Sequence, residues 1–493
     1  MEEKNEIKRK TLAGLFWTFA ERIGAQLIGF VVSIVLARLL FPEEYGVISI
    51  VFVIINLCNV FVDSGFAQAL IQNKDADDVD FSSVFYFSFV VSVLLYAGLF
   101  ILAPYIARFY EMEILSPVIR VMGLRVVLAS YSSVLKAKVS KEMQFKKFFF
   151  SSLGGTLFSA VVGITMAYLG FGVWALVAQD CVDAVIDTVI LAITVKWHPK
   201  LVFSFKRMKV LFGFGWKVLL GGLVDTLYED FRSLYIGKLY SADDLAYYTR
   251  GKQFPNLLVT NINSSITSVL FPAISSQQGN LEAMKGMTRR AMKTSAYILT
   301  PMLCGLAAVA EPLVKLLLTE KWLPCVPFLQ ILCINSALIP LQSANVQAIY
   351  ASGRSDIALK LNIIKKSFGF LMVLIFARFS VIAMAWAGVA AGFFSLLVNT
   401  LPNKKLLGYG FLEQMKDVLP CWLMSAGMML AVQAVAVFNL PTVVELIVMV
   451  LVGVVAYVLL SVLFRVESFF YLLNTMKPVI KKFGKKDNGF TEA

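Results

Sequence analysis

Three carboxylates recur in the stretch QDCVDAVID, at Asp180, Asp183 and Asp187. At about 100° per residue they share an arc of about 60° on one helix face. Three acids on one face repel one another unless a base, a proton or a cation offsets them, so this face reads as a surface for charge pairing or cation binding. A second stretch, VDTLYEDFRSLYIGK, puts Asp225, Glu229 and Arg232 on one face with a similar spread, while Asp230 points about 100° away from Glu229.

Bases carry the complementary chemistry. Counting about 1.5 Å per residue from the nearest end of each apolar run, Arg22, Arg125, Lys365 and Lys366 come out near mid-depth, too far in to snorkel to an interface. Arg120, Lys217, Arg250 and Lys252 lie in or beside other apolar runs, and Glu21 and Asp63 add to the acids. A charge at the centre of a spanning helix costs about 2.5 to 3.5 kcal/mol on insertion scales, so such groups face a bundle interior or a wet cavity. Pairing between helices accounts for some of them. The whole set exceeds what packing requires, and the expectation is a hydrated central cavity with a cationic portion.

The elements that position these residues follow from composition. The chain has 493 residues, of which 58% are hydrophobic and 16% charged, outside the range of soluble globular domains. Apolar runs of about 20 residues, the length that spans a bilayer, recur from Thr11 to Phe464. About fourteen candidate spans result, including 12–37, 115–137, 172–195, 211–237, 246–274 and 357–377. The fold class is an all-α polytopic membrane protein. The polar start MEEKNEIKRK precedes an apolar run longer than a signal-peptide core, so the first helix is expected to be retained.

The net charge of +13 raises the question of nucleic acid. With the N-terminus inside, most Lys and Arg fall on segments of the cytoplasmic side, among them Lys136, Lys138, Lys141, Lys146 and Lys147, then Lys196, Lys200, Lys206, Arg207 and Lys209. The charge therefore reports topology and contact with anionic membrane lipids, and no nucleic-acid partner is expected. The six cysteines lie in apolar segments without CxxC spacing and read as packing thiols. His198, in KWHPK, reads as an interfacial residue. No nucleophile set, P-loop, metal motif or cofactor motif is visible, so neither an enzyme nor a bound cofactor is expected.

An internal repeat organises the spans. ARLLFPEEYGV, at Ala37 to Val47, aligns without a gap on GKLYSADDLAY, at Gly237 to Tyr247. Trp17 and Trp216 lie upstream of the two copies at nearly the same offset, and LAPYIARFY around Pro104 resembles AEPLVKLLL around Pro312. Two units of six spans each share one orientation, a parallel repeat with a path between halves near the midplane. The expected division is 1–205 and 206–405 for two six-helix bundles, 406–465 for two additional helices, and 466–493 for a basic cytoplasmic tail.

The residues of the repeat also carry a resemblance. LARLLFPEEYGVISI, FGVWALVAQ, YYTRGKQFPNLL and SVLFPAIS resemble the polysaccharide transporter branch of the MOP superfamily, the Wzx-type flippases for lipid-linked oligosaccharides. The resemblance runs from about residue 8 to residue 405. It implies a V-shaped pair of six-helix bundles that alternates between inward-open and outward-open states; the two extra C-terminal helices lie outside it and match only in hydrophobicity. It also implies movement of an undecaprenyl-pyrophosphate-linked sugar unit across the bacterial inner membrane, with polysaccharide assembly proteins as candidate partners, while the distribution of Lys and Arg over an even number of spans puts both termini on the cytoplasmic side. Arg22, Arg125, Lys365 and Lys366 are then headgroup candidates, and Arg120, Lys217, Arg232, Arg250 and Lys252 are further cavity bases. Asp180, Asp183 and Asp187 make the sixth span more acidic than this family leads one to expect. With Asp225 and Glu229 they are the candidates for charge pairs or for a coupling ion, a proton or sodium. The alternatives are a multidrug or organic-cation antiporter of the same superfamily, which mid-depth bases would disfavour, and an integral-membrane polymerase or glycosyltransferase.

Overall fold

The computed structural model describes Trp17, Glu21 and residues 24–63, 65–73, 75–438 and 440–474. Arg22, the side chain of Asp63 and the basic tail beyond residue 474 lie outside them. The described chain is helical throughout. In order, the helices are α1 (Gly24–Leu39), α2 (Pro42–Asp63), α3 (Phe66–Gln72), α4 (Asp78–Tyr110), α5 (Leu115–Lys141), α6 (Lys146–Tyr168), α7 (Val173–Val195) and α8 (Phe205–Leu239). They continue as α9 (Ala242–Ser275), α10 (Leu281–Ala308), α11 (Ala310–Leu318), α12 (Val326–Ala337), α13 (Ile339–Ala351), α14 (Ser355–Phe376), α15 (Val381–Leu407), α16 (Phe411–Val435) and α17 (Thr442–Leu463).

Among the described residues, nine helices are long and apolar enough to cross a membrane, or eleven if each of two bent pairs is one span. The bent pairs are α8, which turns by 50° at residue 214, and α10 with α11, which meet at 68°. The difference from about fourteen has a physical source. Of the three further stretches read as spans, α1 is described continuously only from Gly24 onward, whereas α7 carries Asp180, Asp183 and Asp187 and α14 carries Asp356, Lys360, Lys365 and Lys366. Helices α7 and α14 fall short because each concentrates three or more ionic residues.

The chain divides into two compact units, Met1–Ala246 and Tyr247–Ala493. In the first, α6 packs along α7, α4 along α5, and α2 against both α5 and α8. The repeat has a local structural meaning here. Helix α1 ends at Leu39 and α2 restarts at Pro42; α8 ends at Leu239 and α9 restarts at Ala242, an identical break 200 residues on. The paired acids cap these starts: Glu44 Oε2 accepts from Phe41 N at 2.6 Å, and Asp244 Oδ2 accepts from Ser241 N at 3.3 Å. The two copies also touch, because a Cβ on Gly46 would lie only 2.0 Å from the Ala242 carbonyl oxygen.

The basic clusters of the first unit gather around residues 73–80. Lys141 Nζ donates to the carbonyls of Asn73 and Ala76, Lys138 and Lys200 pair with Asp78, and Arg207 bridges Asp77 and Asp80. The hydrogen bond from Arg207 holds the Asp77 carboxyl down at about 2. This lowered value means that the pair's contribution is present above the ordinary carboxylate range and is lost as pH falls toward 2.

In the second unit, α10 fastens the two helices that lie outside the repeat. Lys285, Arg289 and Lys293, four residues apart on one face, pair with Glu413, Asp417 and Glu467. The Arg289–Asp417 pair is bidentate at 2.6 and 2.7 Å, and Tyr409 Oη donates to the same carboxylate at 2.8 Å. Farther along α10, Pro301 has no N–H to give to the Tyr297 carbonyl four residues back. Tyr457 Oη on α17 donates to that carbonyl at 2.9 Å, and Tyr297 Oη donates to Ser461 Oγ at 2.8 Å. Tyr457→Phe should therefore leave a buried carbonyl unpaired and cost about 1 to 3 kcal/mol. A lowered melting temperature of the purified chain is the expected result, and an unchanged one contradicts this role.

Candidate functional site

The charged face of α7 meets α5. Arg125 on α5 pairs with Asp180, and Lys136, eleven residues on, pairs with Asp187 at 3.2 Å. The two pairs advance in the same direction along both helices, so α5 and α7 run parallel with α6 returning between them. Asp183 lies between the pairs, and none of the bases of the described residues comes within ion-pair distance of it. Its neighbours in charge are Arg125 and Lys136 on α5 and Asp180 and Asp187 on α7. Helix α6 contributes no charge to this point; it presents Gly155, where a Cβ would lie 3.0 Å from Asp183 Oδ1.

These residues open onto a pocket of about 330 Å³. Arg125, Lys136, Asp183 and Asp187 line it with Ser132, Ser133, Thr188 and Asn59. Asn59 Oδ1 is buried without a hydrogen-bond partner. The side chains of Asp180 and Asp187 are 18% and 16% exposed, whereas that of Lys136 is 52% exposed. The Arg125–Asp180 pair is thus the more enclosed of the two, and Lys136 carries positive charge to the mouth. Among the described residues no three His, Cys, Asp or Glu side chains are grouped as a metal site requires. The arrangement offers mixed charge, hydroxyls and an amide between helices of spanning length, which suits an anion, a sugar hydroxyl or a small cation rather than a covalent step.

The other sequence-derived candidates are dispersed. Arg120 is occupied beside a helix proline: Pro104 frees the Phe100 carbonyl on α4, and Arg120 Nε donates to it at 3.4 Å with its guanidinium 4.4 Å from the Phe100 ring. Arg250 is buried, donates to Gln253 Oε1 at 2.6 Å and stands 5.3 Å from the Trp322 ring. On α8, Lys217, Asp225 and Glu229 are exposed, and Asp230 and Arg232 are half-buried. Lys252 on α9 and Lys365 and Lys366 on α14 are half-buried in the second unit. Sequence reasoning passed over Lys136 and Asn59 as site residues. Lys136 was grouped with the cytoplasmic bases, yet eleven residues from Arg125 bring a helix back to within about 20° of the same face.

Comparison with known proteins gives this site its context. The family model of a polysaccharide biosynthesis protein matches residues 35–327. The chain is 26% identical over 366 residues to the teichuronic acid biosynthesis protein TuaB of Bacillus subtilis, covering 71% of this chain and 73% of that one. It is 24% identical over 431 residues to the lipopolysaccharide biosynthesis protein WzxC of Escherichia coli, covering 85% of each. Among solved structures, the lipid II flippase MurJ in an inward closed conformation is similar with a TM-score of 0.76 at 14% identity, over 92% of this chain and 99% of that one. An inward-facing multidrug resistance MATE transporter of the MOP superfamily is similar with a TM-score of 0.62 at 17% identity, over 77% of this chain and 95% of that one. The fold is thus one shared with MurJ and with this MATE transporter, and with the family model spanning more than half of its length, this multi-pass membrane chain belongs to the polysaccharide biosynthesis protein family.

Proposed function

We propose that the chain is a flippase that moves polyprenyl-pyrophosphate-linked oligosaccharide units from the inner to the outer leaflet of the bacterial inner membrane, for surface polysaccharide assembly. The observation that carries this reading is the pocket between α5 and α7. Its ion pairs, hydroxyls and amide lie on helices that otherwise read as membrane-spanning, where a polar headgroup needs partners and a polyprenyl tail does not. The relatives named for teichuronic acid and lipopolysaccharide biosynthesis support the substrate class, and the likeness to MurJ supports the fold on which such movement runs.

In this reading the chain crosses the membrane about fourteen times with both termini cytoplasmic, and α7 and α14 cross despite their ionic residues. The repeat divides it functionally at 205/206 and 405/406, with the tail from 466. Arg125 serves the pyrophosphate, and Arg22, Lys365 and Lys366 are kept as further headgroup candidates, each in its own unit. A proton or sodium ion binds at Asp183 and drives the return of the emptied carrier. No chemical conversion of the substrate is involved, and polysaccharide assembly proteins receive the product. Deletion of the gene should trap the lipid-linked oligosaccharide in the inner leaflet, measured by its inaccessibility to a periplasmic glycosidase. Normal periplasmic access in the deletion strain would sink the proposal.

A further inference from the structure

A second pocket, of about 430 Å³, opens within the second unit between α10, α12, α15 and α16. Its lining differs in kind from that of the α5/α7 pocket. No ionic side chain contributes to it; Trp386, Phe393 and aliphatic residues form most of the wall, with Thr300, Gln330, Trp422 and Gln433 as the polar groups. Gln330 is already engaged, since its Nε2 donates to the Ala307 carbonyl at 3.2 Å.

Thr300 and Trp422 are different. Thr300 is 3% exposed and its hydroxyl has no hydrogen-bond partner; Trp422 Nε1 is buried and has none either. A helical threonine ordinarily bonds back to the carbonyl four residues earlier, as Thr288 does to Met284 at 2.8 Å on the same helix. Thr300 does not. Thr300 and Trp422 both line this one apolar pocket, and a buried hydroxyl and a buried indole N–H are costly unless a partner meets them. A mostly apolar cavity with a few polar groups is also the usual form of a small-molecule site.

We infer that this pocket binds a neutral, apolar molecule carrying one hydrogen-bond-accepting oxygen, which meets Trp422 Nε1–H and the Thr300 hydroxyl. The lining excludes the pyrophosphate headgroup, because an anion there would be desolvated without a counter-charge. The site is therefore separate from the proposed headgroup site and does not rest on it. Helix α16, which lies outside the repeat, completes its wall. The occupant is either a neutral lipid of the bilayer or an amphiphile from outside the cell; both share the chemistry of an apolar body and a single oxygen.

The test uses the full chain in phosphatidylcholine nanodiscs, titrated with 12-bromododecan-1-ol, whose bromine quenches tryptophan emission. Trp386 remains as reporter in every variant. Saturable quenching is expected, with apparent affinity about tenfold weaker in Thr300→Val and in Trp422→Phe, the scale of one hydrogen bond. 1-Bromododecane, which lacks the oxygen, should bind about tenfold more weakly to the native chain as well. Ala337→Phe, which fills the pocket, should abolish saturation. If Ala337→Phe fails to fold, the two near-isosteric variants, checked by melting temperature, carry the test alone. Non-saturating quenching, equal for both probes and all variants, is general partition into the bilayer and overturns the inference. Mass spectrometry of the purified chain then separates the sources: a neutral lipid retained by the native chain and lost from Thr300→Val assigns the bilayer. Saturable probe binding without a retained lipid supports an external amphiphile.

Discussion

Arg125→Ala is expected to lower export of lipid-linked oligosaccharide by more than tenfold, and the loss should persist when Asp180 is neutralised as well. Two effects are combined in the single variant. Removing one partner of a buried ion pair leaves an uncompensated charge, typically at a cost of about 3 to 5 kcal/mol. Here both side chains keep some exposure, 28% for Arg125 and 18% for Asp180, so the cost should fall below that range. Lower abundance of the single variant is still expected. In Arg125→Ala/Asp180→Ala neither charge remains, and abundance in the membrane should return toward that of the native chain. If the pair serves packing alone, export returns with abundance. If Arg125 meets the pyrophosphate, export stays low in a well-folded protein. The proposed function requires the second outcome, measured as polysaccharide export normalised to the amount of protein in the membrane.

Asp183→Asn carries the second large effect. Asp180 and Asp187 each have a base, whereas Asp183 stands between them facing the pocket, with Gly155 of α6 against its carboxylate. Asparagine has nearly the same shape and hydrogen-bonding reach but cannot take up and release a proton or balance a sodium ion. The variant should therefore reach normal abundance, and its export should no longer fall when the ion gradient is collapsed, running about tenfold below the native rate with or without the gradient. Gradient-dependent export at the native rate would place the coupling ion elsewhere. Asp225 and Glu229, exposed on α8, are then the next positions to substitute.

Much of this architecture was legible in the sequence, for reasons that differ by feature. Apolar runs of spanning length announce themselves in composition, so the all-helical membrane fold follows directly. The repeated break at Leu39–Pro42 and Leu239–Ala242 was legible because an acid in the first turn can accept from the N–H that precedes a helix, and Glu44 and Asp244 recur in step. The shared face of Asp180, Asp183 and Asp187 was legible from helical period alone. Which base meets which acid was not, because pairing depends on the approach of two helices, and period says nothing about a neighbour. Lys136 was hidden by its place in a basic cluster, although its spacing from Arg125 contained the signal. Arg120 has a local partner that the sequence does not announce: a proline on a neighbouring helix frees the carbonyl that it meets. The fastening of α16 and α17 to α10 depends on Lys285, Arg289 and Lys293, bases that look like ordinary polar residues at the start of a span.

The most direct measurement of the central claim is transbilayer movement in a defined system. The purified chain is reconstituted in vesicles that carry polyprenyl-pyrophosphate-linked oligosaccharide in both leaflets, with an ion gradient imposed. A membrane-impermeant glycosidase then reads the fraction of sugar exposed outside over time. With the native chain, lipid protected in the inner leaflet should become accessible, and with Arg125→Ala/Asp180→Ala it should stay protected. Native-chain vesicles that keep the same protected fraction as empty vesicles would contradict the account.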